Sequence, residues 1–310
     1  MNEWSVTDWI TAHIFLLVTA IGIWFWVKAL VLTAGARRGA YLIDKSVVAR
    51  WGLIDVLIVA FLWLASQGVT LSLMMMLGGV EAGQKLTADQ AARFTLISGI
   101  VQLAVIGLSL ARLARRYGHD EDEFGLARRQ IAGGIRAGAI GFCMWVPLVW
   151  AIQSILVYYI EYTHPSFDRV NQSGNPRTLI DTWIAAVVIA PVVEELLFRG
   201  VVQSWLQRIR PETRSNPTAL ISGGPIAAIE KAGSGIDLPR KIHIPAILIT
   251  SLLFGLAHFS QGPAPVSLFV LSLGLGYLYQ RTGSLVACIV MHMVLNAVTM
   301  TLFTINLSTG

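Results

Sequence analysis

The sequence predicts an all-α fold, a polytopic membrane helix bundle with about eight transmembrane helices. Three observations carry this. Hydrophobic residues make up 55% of the chain and charged residues only 13%, where a soluble domain carries about 25% charged residues. Mean hydropathy is +0.65. Apolar runs recur along the 310 residues, each near the ~20 residues that cross a ~30 Å hydrocarbon core.

The expected spans are 12–33, 53–80, 94–113, 137–160, 178–206, 243–261, 264–280 and 284–306. The first is expected to stay in the mature protein. No Lys or Arg precedes it, and the apolar run from Ile14 is too long for the core of a signal peptide. Basic residues support the count. Seventeen Lys and Arg lie in or beside the segments after spans one, three, five and seven, against four after spans two and four. That alternation predicts both termini outside the cytoplasm. It also accounts for the net charge of +5 without a nucleic-acid partner.

Several features read as membrane architecture. Gly134 and Gly138 form a small-xxx-small pair suited to close helix packing. Trp4, Trp9, Tyr158, Tyr159 and Tyr162 cluster near span ends as interfacial anchors. His13, Lys28 and Asp55 lie near span ends and are expected to reach the interface. Cys143 and Cys288 sit in apolar runs with no metal or disulfide spacing, and read as small buried side chains. Two long segments are expected in the cytoplasm: 114–136, with an acidic run between basic clusters, and 207–242, a flexible insertion rich in Gly, Pro, Ser and Arg.

Ionisable residues deep in a membrane are costly, and each is a candidate for function. Span five carries Glu194 and Glu195 followed by Arg199. Glu195 and Arg199 stand four apart on one helix face, so they can neutralise each other, while Glu194 points about 100° away. Pro191, one turn earlier, removes a backbone donor and is expected to bend the helix. Span six ends near Phe254-Gly255-Leu256-Ala257-His258, and span eight holds His292 and Asn296 four apart. At ~1.5 Å per residue, Glu194, His258, His292 and Asn296 lie roughly 12–22 Å below the cytoplasmic ends, one mid-bilayer layer. A carboxylate in a dry site suits a general base, a neighbouring histidine shares its water, and a His–Asn pair can hydrogen-bond an oxyanion. Those are the needs of peptide hydrolysis. The sequence has no His-Glu-x-x-His, no Gly-x-Gly-Asp and no serine elbow.

The three motifs, Glu194-Glu195-x-x-x-Arg199, Phe254-x-x-x-His258 and His292-x-x-x-Asn296, resemble those of the CPBP family. These are the CAAX-processing and bacteriocin-processing membrane peptidases (ABI family), related to the type II CAAX prenyl endopeptidase. The stretch Gly276–Leu285 also reads like that family's approach to its last motif. The resemblance covers about residues 178–300 and implies a glutamate-type intramembrane endopeptidase. It implies Glu194 as water-activating base with His258, His292 and Asn296 as oxyanion hole, and Glu195 and Arg199 as supports. The long insertion 207–242 between the first two motifs departs from the family pattern.

The expected organisation is an N-terminal set of about four spans over 1–177 and a catalytic membrane core over 178–306 with its insertion. Expected partners are the lipid bilayer and a membrane-presented peptide or protein, lipidated if the family name holds. The expected location is a multi-pass place in the cell membrane, or the inner membrane of a bacterium. No cofactor is required, although Glu194, His258 and His292 would also make a three-ligand zinc site. A non-catalytic scaffold or immunity protein and a small-solute carrier are the further alternatives. The topology is tested by cysteine labelling of intact cells, in a background lacking Cys143 and Cys288. Single cysteines in 34–51, 114–136 and 207–242 are expected to stay unlabelled from outside, and labelling in 207–242 would refute the orientation.

Overall fold

The structure is a computed structural model and describes residues 6–34, 43–44, 49–77, 83, 85–120, 124–160, 162, 164–209 and 240–309. Most of the expected insertion, residues 210–239, lies outside the described residues. The described residues form nine helices and one two-residue antiparallel pairing. The helices are α1 (Val6–Ala34), α2 (Leu53–Met76), α3 (Ala88–Tyr117), α4 (Arg128–Tyr159), α5 (Pro165–Ser173), α6 (Pro176 to Leu206), α7 (Ile244–Ala257), α8 (Ala264–Thr282) and α9 (Leu285–Thr309).

Five helices, α1, α2, α3, α4 and α9, are long and apolar enough to cross a membrane. Helices of that length and apolarity are those of an integral membrane protein. The remaining expected spans are α6, α7 and α8, and these carry or flank the motifs. α7 is 14 residues and α8 is 19, while α6 changes helical register along its length. The fold class is therefore an all-helical membrane bundle in which, among the described residues, five of the eight expected spans are long, unbroken apolar helices. α3 and α4 run further into segment 114–136 than expected. Arg115 and Arg116 occupy the last turn of α3, where cations complement the helix dipole. Gly118 closes that helix at φ 69°. α5 was not expected; His164 caps it, Pro165 begins it, and Gly174 ends it at φ 61°.

α6 is the central element. From Glu195 to Ser204 every residue is buried, so the helix is covered on all sides. Its backbone alternates: α-helix over Pro176–Ile184, π-helix over Ala185–Ile189, α-helix over Ala190–Glu195, π-helix over Leu196–Gln203, and a last α turn at Ser204–Leu206. π stretches of this kind cluster at functional sites. The first one has a local cause. Ala190 donates its N–H to the Ala185 carbonyl five residues back. The next bond in that register would run from residue 191 to the Ala186 carbonyl, but Pro191 has no N–H. The carboxamide of Asn296 on α9 fills the position, donating from Nδ2 to the Ala186 carbonyl at 2.8 Å. The second stretch is supported from the N-terminal half. Trp51, fully buried, donates its indole N–H to the Val201 carbonyl at 3.2 Å.

Around α6 pack α3, α7 and α9, with α4 and α8 closing the bundle. Phe254, Leu271, Leu275, Tyr279, Leu285 and Met291 form the dry centre. Gly134 and Gly138 lie against α9, where a Cβ on Gly138 would stand 2.5 Å from the Ala287 carbonyl oxygen. The pair therefore packs helices, as expected from its spacing. Asp55 opens α2, accepting from the Gly52 N–H at 3.0 Å and the Tyr117 hydroxyl at 2.9 Å.

Two stability experiments follow from these contacts, both read by unfolding in detergent. Gly138→Ala is expected to cost about 1–3 kcal/mol by overpacking. Gly133→Ala, whose Cβ would meet nothing within 4 Å, is expected to be neutral or to gain up to about 1 kcal/mol from helix propensity. Asn296→Ala is expected to cost about 1–3 kcal/mol by leaving a buried carbonyl unpaired. In a Pro191→Ala background, residue 191 regains an N–H, and most of that cost is expected to disappear. Equal costs in both backgrounds would show that Asn296 does not serve the carbonyl that Pro191 leaves open.

Candidate active site

Each motif side chain reaches the site for a local reason. Glu194 and Glu195 end the α-helical turn between the two π stretches of α6. His258 is the C-cap of α7. Gly255 allows that helix to approach α8, since a Cβ there would lie 2.9 Å from the Pro265 carbonyl oxygen. His292 sits in the middle of α9, one turn after the buried Cys288.

The structure brings Glu194, Glu195, Arg199, His258 and His292 together. Glu195 and Arg199 are both fully buried, with Arg199 Nε 3.2 Å from Glu195 Oε2. Arg199 Nη1 donates to Glu195 Oε1 at 3.3 Å, and Nη2 donates to the Ser272 carbonyl at 3.2 Å and the Ser272 hydroxyl at 2.7 Å. The Phe254 ring lies 5.1 Å from the guanidinium carbon. Glu195 Oε1 also stands 3.0 Å from His292 Nδ1. Glu195 thus holds two partners, one in its own helix and one on α9.

Glu194 is arranged differently. Its side chain keeps 19% of its surface accessible, whereas that of Glu195 keeps none. Its carboxylate oxygens lie 3.8 Å from His258 Nε2 and 3.9 Å from His292 Nε2. Both imidazoles are fixed from behind. His258 Nδ1 stands 2.9 Å from the Phe254 carbonyl, and His292 Nδ1 faces the Glu195 carboxylate. An oxygen acceptor requires a proton on each Nδ1, so each neutral ring presents its Nε2 lone pair toward Glu194. Phe254 is thus a hub: its carbonyl orients one histidine, and its ring packs on both histidines and on Arg199.

Asn296, one turn after His292 on α9, gives one amide N–H to the Ala186 carbonyl. Among the described residues, no group of three or more His, Cys, Asp or Glu has metal-binding spacing. His164, at the N-cap of α5, accepts the Ser166 N–H at 3.2 Å and also bonds Gln261, three residues beyond His258. Burial holds its imidazole below the ordinary histidine value.

Residues that the sequence did not single out complete the surroundings. Glu194 opens on a cavity of about 170 Å³ between α2, α3 and α6. Trp63, Gln67, Thr95, Ser98 and Gln102 line it. Isolated polar residues in apolar helices gave no indication of which way they face; the one available signal was their presence at membrane depth.

Residues 176–298 match the family described as type II CAAX prenyl endopeptidase Rce1-like. No curated protein and no solved structure matches the chain. The matched segment contains every motif residue above and is consistent with the CPBP resemblance read from the sequence. The Rce1-like family consists of protease hydrolases acting on peptide or protein substrates at the membrane. The motif-bearing region of this chain, residues 176–298, is thus similar to the Rce1-like type II CAAX prenyl endopeptidases, a family of membrane proteases.

Proposed function

We propose that the protein hydrolyses a peptide bond near a CAAX-type C-terminus presented at the membrane, with Glu194 as the base that activates water. The observation that carries this is the difference between the two adjacent carboxylates. Glu195 is spent on Arg199 and His292, while Glu194 alone keeps exposed surface and faces two imidazole Nε2 atoms at 3.8 and 3.9 Å. Those separations exceed a direct hydrogen bond and suit groups bridged by one water.

The charges support the same assignment. Glu195 and Arg199 cancel. One proton shared among Glu194, His258 and His292 leaves the site neutral, which a low-dielectric setting favours. In the reaction Glu194 takes a proton from water as the oxygen attacks the scissile carbonyl. His258 sits within reach to pass that proton to the leaving amine. His292 donates to the oxyanion when its Nε2 carries the shared proton, with Glu195 behind it through Nδ1. Asn296 contributes the amide N–H that it does not give to Ala186. Arg199 and Glu195 position His292 and act through it.

A zinc-dependent form of this reaction would use Glu194, His258 and His292 as ligands. One observation favours it: both Nδ1 atoms meet acceptors, the usual second shell of a histidine-ligated metal. The spacing of the described residues gives it no further support.

The test pairs turnover with stability. Purified protein in lipid nanodiscs receives a farnesylated peptide ending in a CAAX sequence, with and without a metal chelator. Chelator-resistant cleavage is expected. Glu194→Gln is expected to lose roughly 10²–10⁴-fold in rate with little change in melting temperature. Glu195→Gln is expected to lose roughly 3–5 kcal/mol of stability, because Arg199 is left buried without its carboxylate. A folded but inactive Glu195→Gln beside an unfolded Glu194→Gln would reverse the two roles. Full turnover in both variants would refute the hydrolytic mechanism, and loss of cleavage with chelator, restored by zinc, would favour the metal form.

A further inference from the structure

The polar wall of the cavity beside Glu194 is built from the half of the chain that the family match does not reach. α2 supplies Trp63 and Gln67, α3 supplies Thr95, Ser98 and Gln102, and α6 supplies the apolar floor and Glu194. Its volume, about 170 Å³, would hold five or six waters at ~30 Å³ each. That suits a short length of extended chain and not a folded domain.

Its polar wall is ordered. Trp63 donates its indole N–H to Gln102 Oε1 at 2.7 Å, and Gln102 Nε2 donates to Ser98 Oγ at 3.0 Å. This fixes the Gln102 carboxamide and leaves it one further N–H and one further lone pair. Gln67 stands one turn after Trp63 on the same face of α2. Among the described residues its carboxamide makes no hydrogen bond. Amides at bilayer depth cost free energy until they are paired. Two of them therefore line a cavity next to the reacting carboxylate with bonding capacity unused.

We propose that this wall binds the backbone of the substrate peptide beside the scissile bond, Gln67 and Gln102 each pairing with a peptide amide. The proposal rests on Glu194 being the catalytic base. The chemistry selects the occupant. A peptide drawn into hydrocarbon must satisfy its own N–H and C=O groups, and a carboxamide offers the matching donor and acceptor in one plane. An isoprenoid chain would leave the carboxamides unpaired, so the prenyl group lies elsewhere, toward lipid. The spacing also fits. Gln67 lies four residues, about 6 Å, along α2 from the Trp63 that holds Gln102. Groups two residues apart in an extended strand repeat every ~6.6–6.8 Å.

The experiment uses the full chain in nanodiscs with the farnesylated CAAX peptide and a set of analogues, each N-methylated at one backbone amide. Peptide affinity is measured in the Glu194→Gln variant, and KM and kcat in the otherwise wild-type protein. Gln67→Leu is expected to raise KM about tenfold with kcat within about threefold and an unchanged melting temperature. One N-methyl analogue is expected to bind about tenfold more weakly than the parent peptide to the Gln67 protein, and no more weakly than the parent to Gln67→Leu. That coupling is a readout that a merely structural glutamine would not produce. Unchanged KM in Gln67→Leu, or equal N-methyl penalties in both proteins, overturns the proposal while leaving hydrolysis intact. If Gln67→Leu does not fold, the analogue series on the Gln67 protein decides, and uniform affinity across it is the refuting result. Failure of the wild type to cleave the parent peptide while Glu194→Gln still binds it would instead remove the catalytic reading.

Discussion

A single buried guanidinium organises the motif-bearing half of this protein. Arg199 has no exposed surface, and its donors and planar face reach Glu195 on α6, Ser272 on α8 and the ring of Phe254 on α7. Through Glu195 the same network reaches His292 on α9. Four helices are thus registered by one charge that has nowhere else to go. In lipid, helix association has little hydrophobic drive of its own and depends on packing and on polar contacts between helices. A fully buried ion pair supplies specificity more than net stability, because removing either partner strands the other. The consequence for chemistry is geometric. With Glu195 committed to this network, its neighbour in sequence is the carboxylate left to face the two imidazole rings.

Backbone irregularity does the rest of the positioning. The first π stretch leaves the Ala186 carbonyl to the Asn296 carboxamide, and in the second the Trp51 indole N–H joins the Ser204 N–H on the Val201 carbonyl. The N-terminal half therefore packs on the motif-bearing helix α6 as well as supplying long apolar helices of its own. This explains why the first helices carry no motif of their own and yet touch the centre of α6. It also shows how a residue read as oxyanion donor can have a second duty to the backbone.

The legible part of the architecture came from strong physical signals. Low charge content and long apolar runs marked the membrane class, and buried charge at matching depth picked out Glu194, Glu195, Arg199, His258 and His292, which the fold does bring together. The missed parts lacked such signals. Register changes within α6 depend on neighbours from other helices, and only Pro191 hinted at them. α5 carried readable caps at His164-Pro165 and Gly174, but its nine residues were too short for periodicity to speak. α3 and α4 outran their expected ends because arginine clusters read as loop when they in fact lie within helical turns, Arg115 and Arg116 in the last turn of α3 and Arg128 and Arg129 in the first turn of α4. Gln67 and Gln102 stayed silent because an isolated amide in an apolar helix does not reveal its facing until a second helix is placed beside it.

The ends of the insertion add a final property. On one side Arg208 donates to the carbonyls of Arg50 and Trp51, at 2.7 and 3.1 Å, and Ala49 bonds the Ser204 carbonyl. On the other, residues Arg240 and Lys241 pair with Asp44 and Ile43, and Gln280 bonds both backbone groups of His243. Both ends are thus moored to the same short stretch ahead of α2, independently of what lies between them. Closing a longer loop across fixed moorings adds only about 0.6 kcal/mol per doubling of its length. These moorings fix where the chain leaves α6 and where it rejoins α7, and a change in the length between them carries only that small entropic cost.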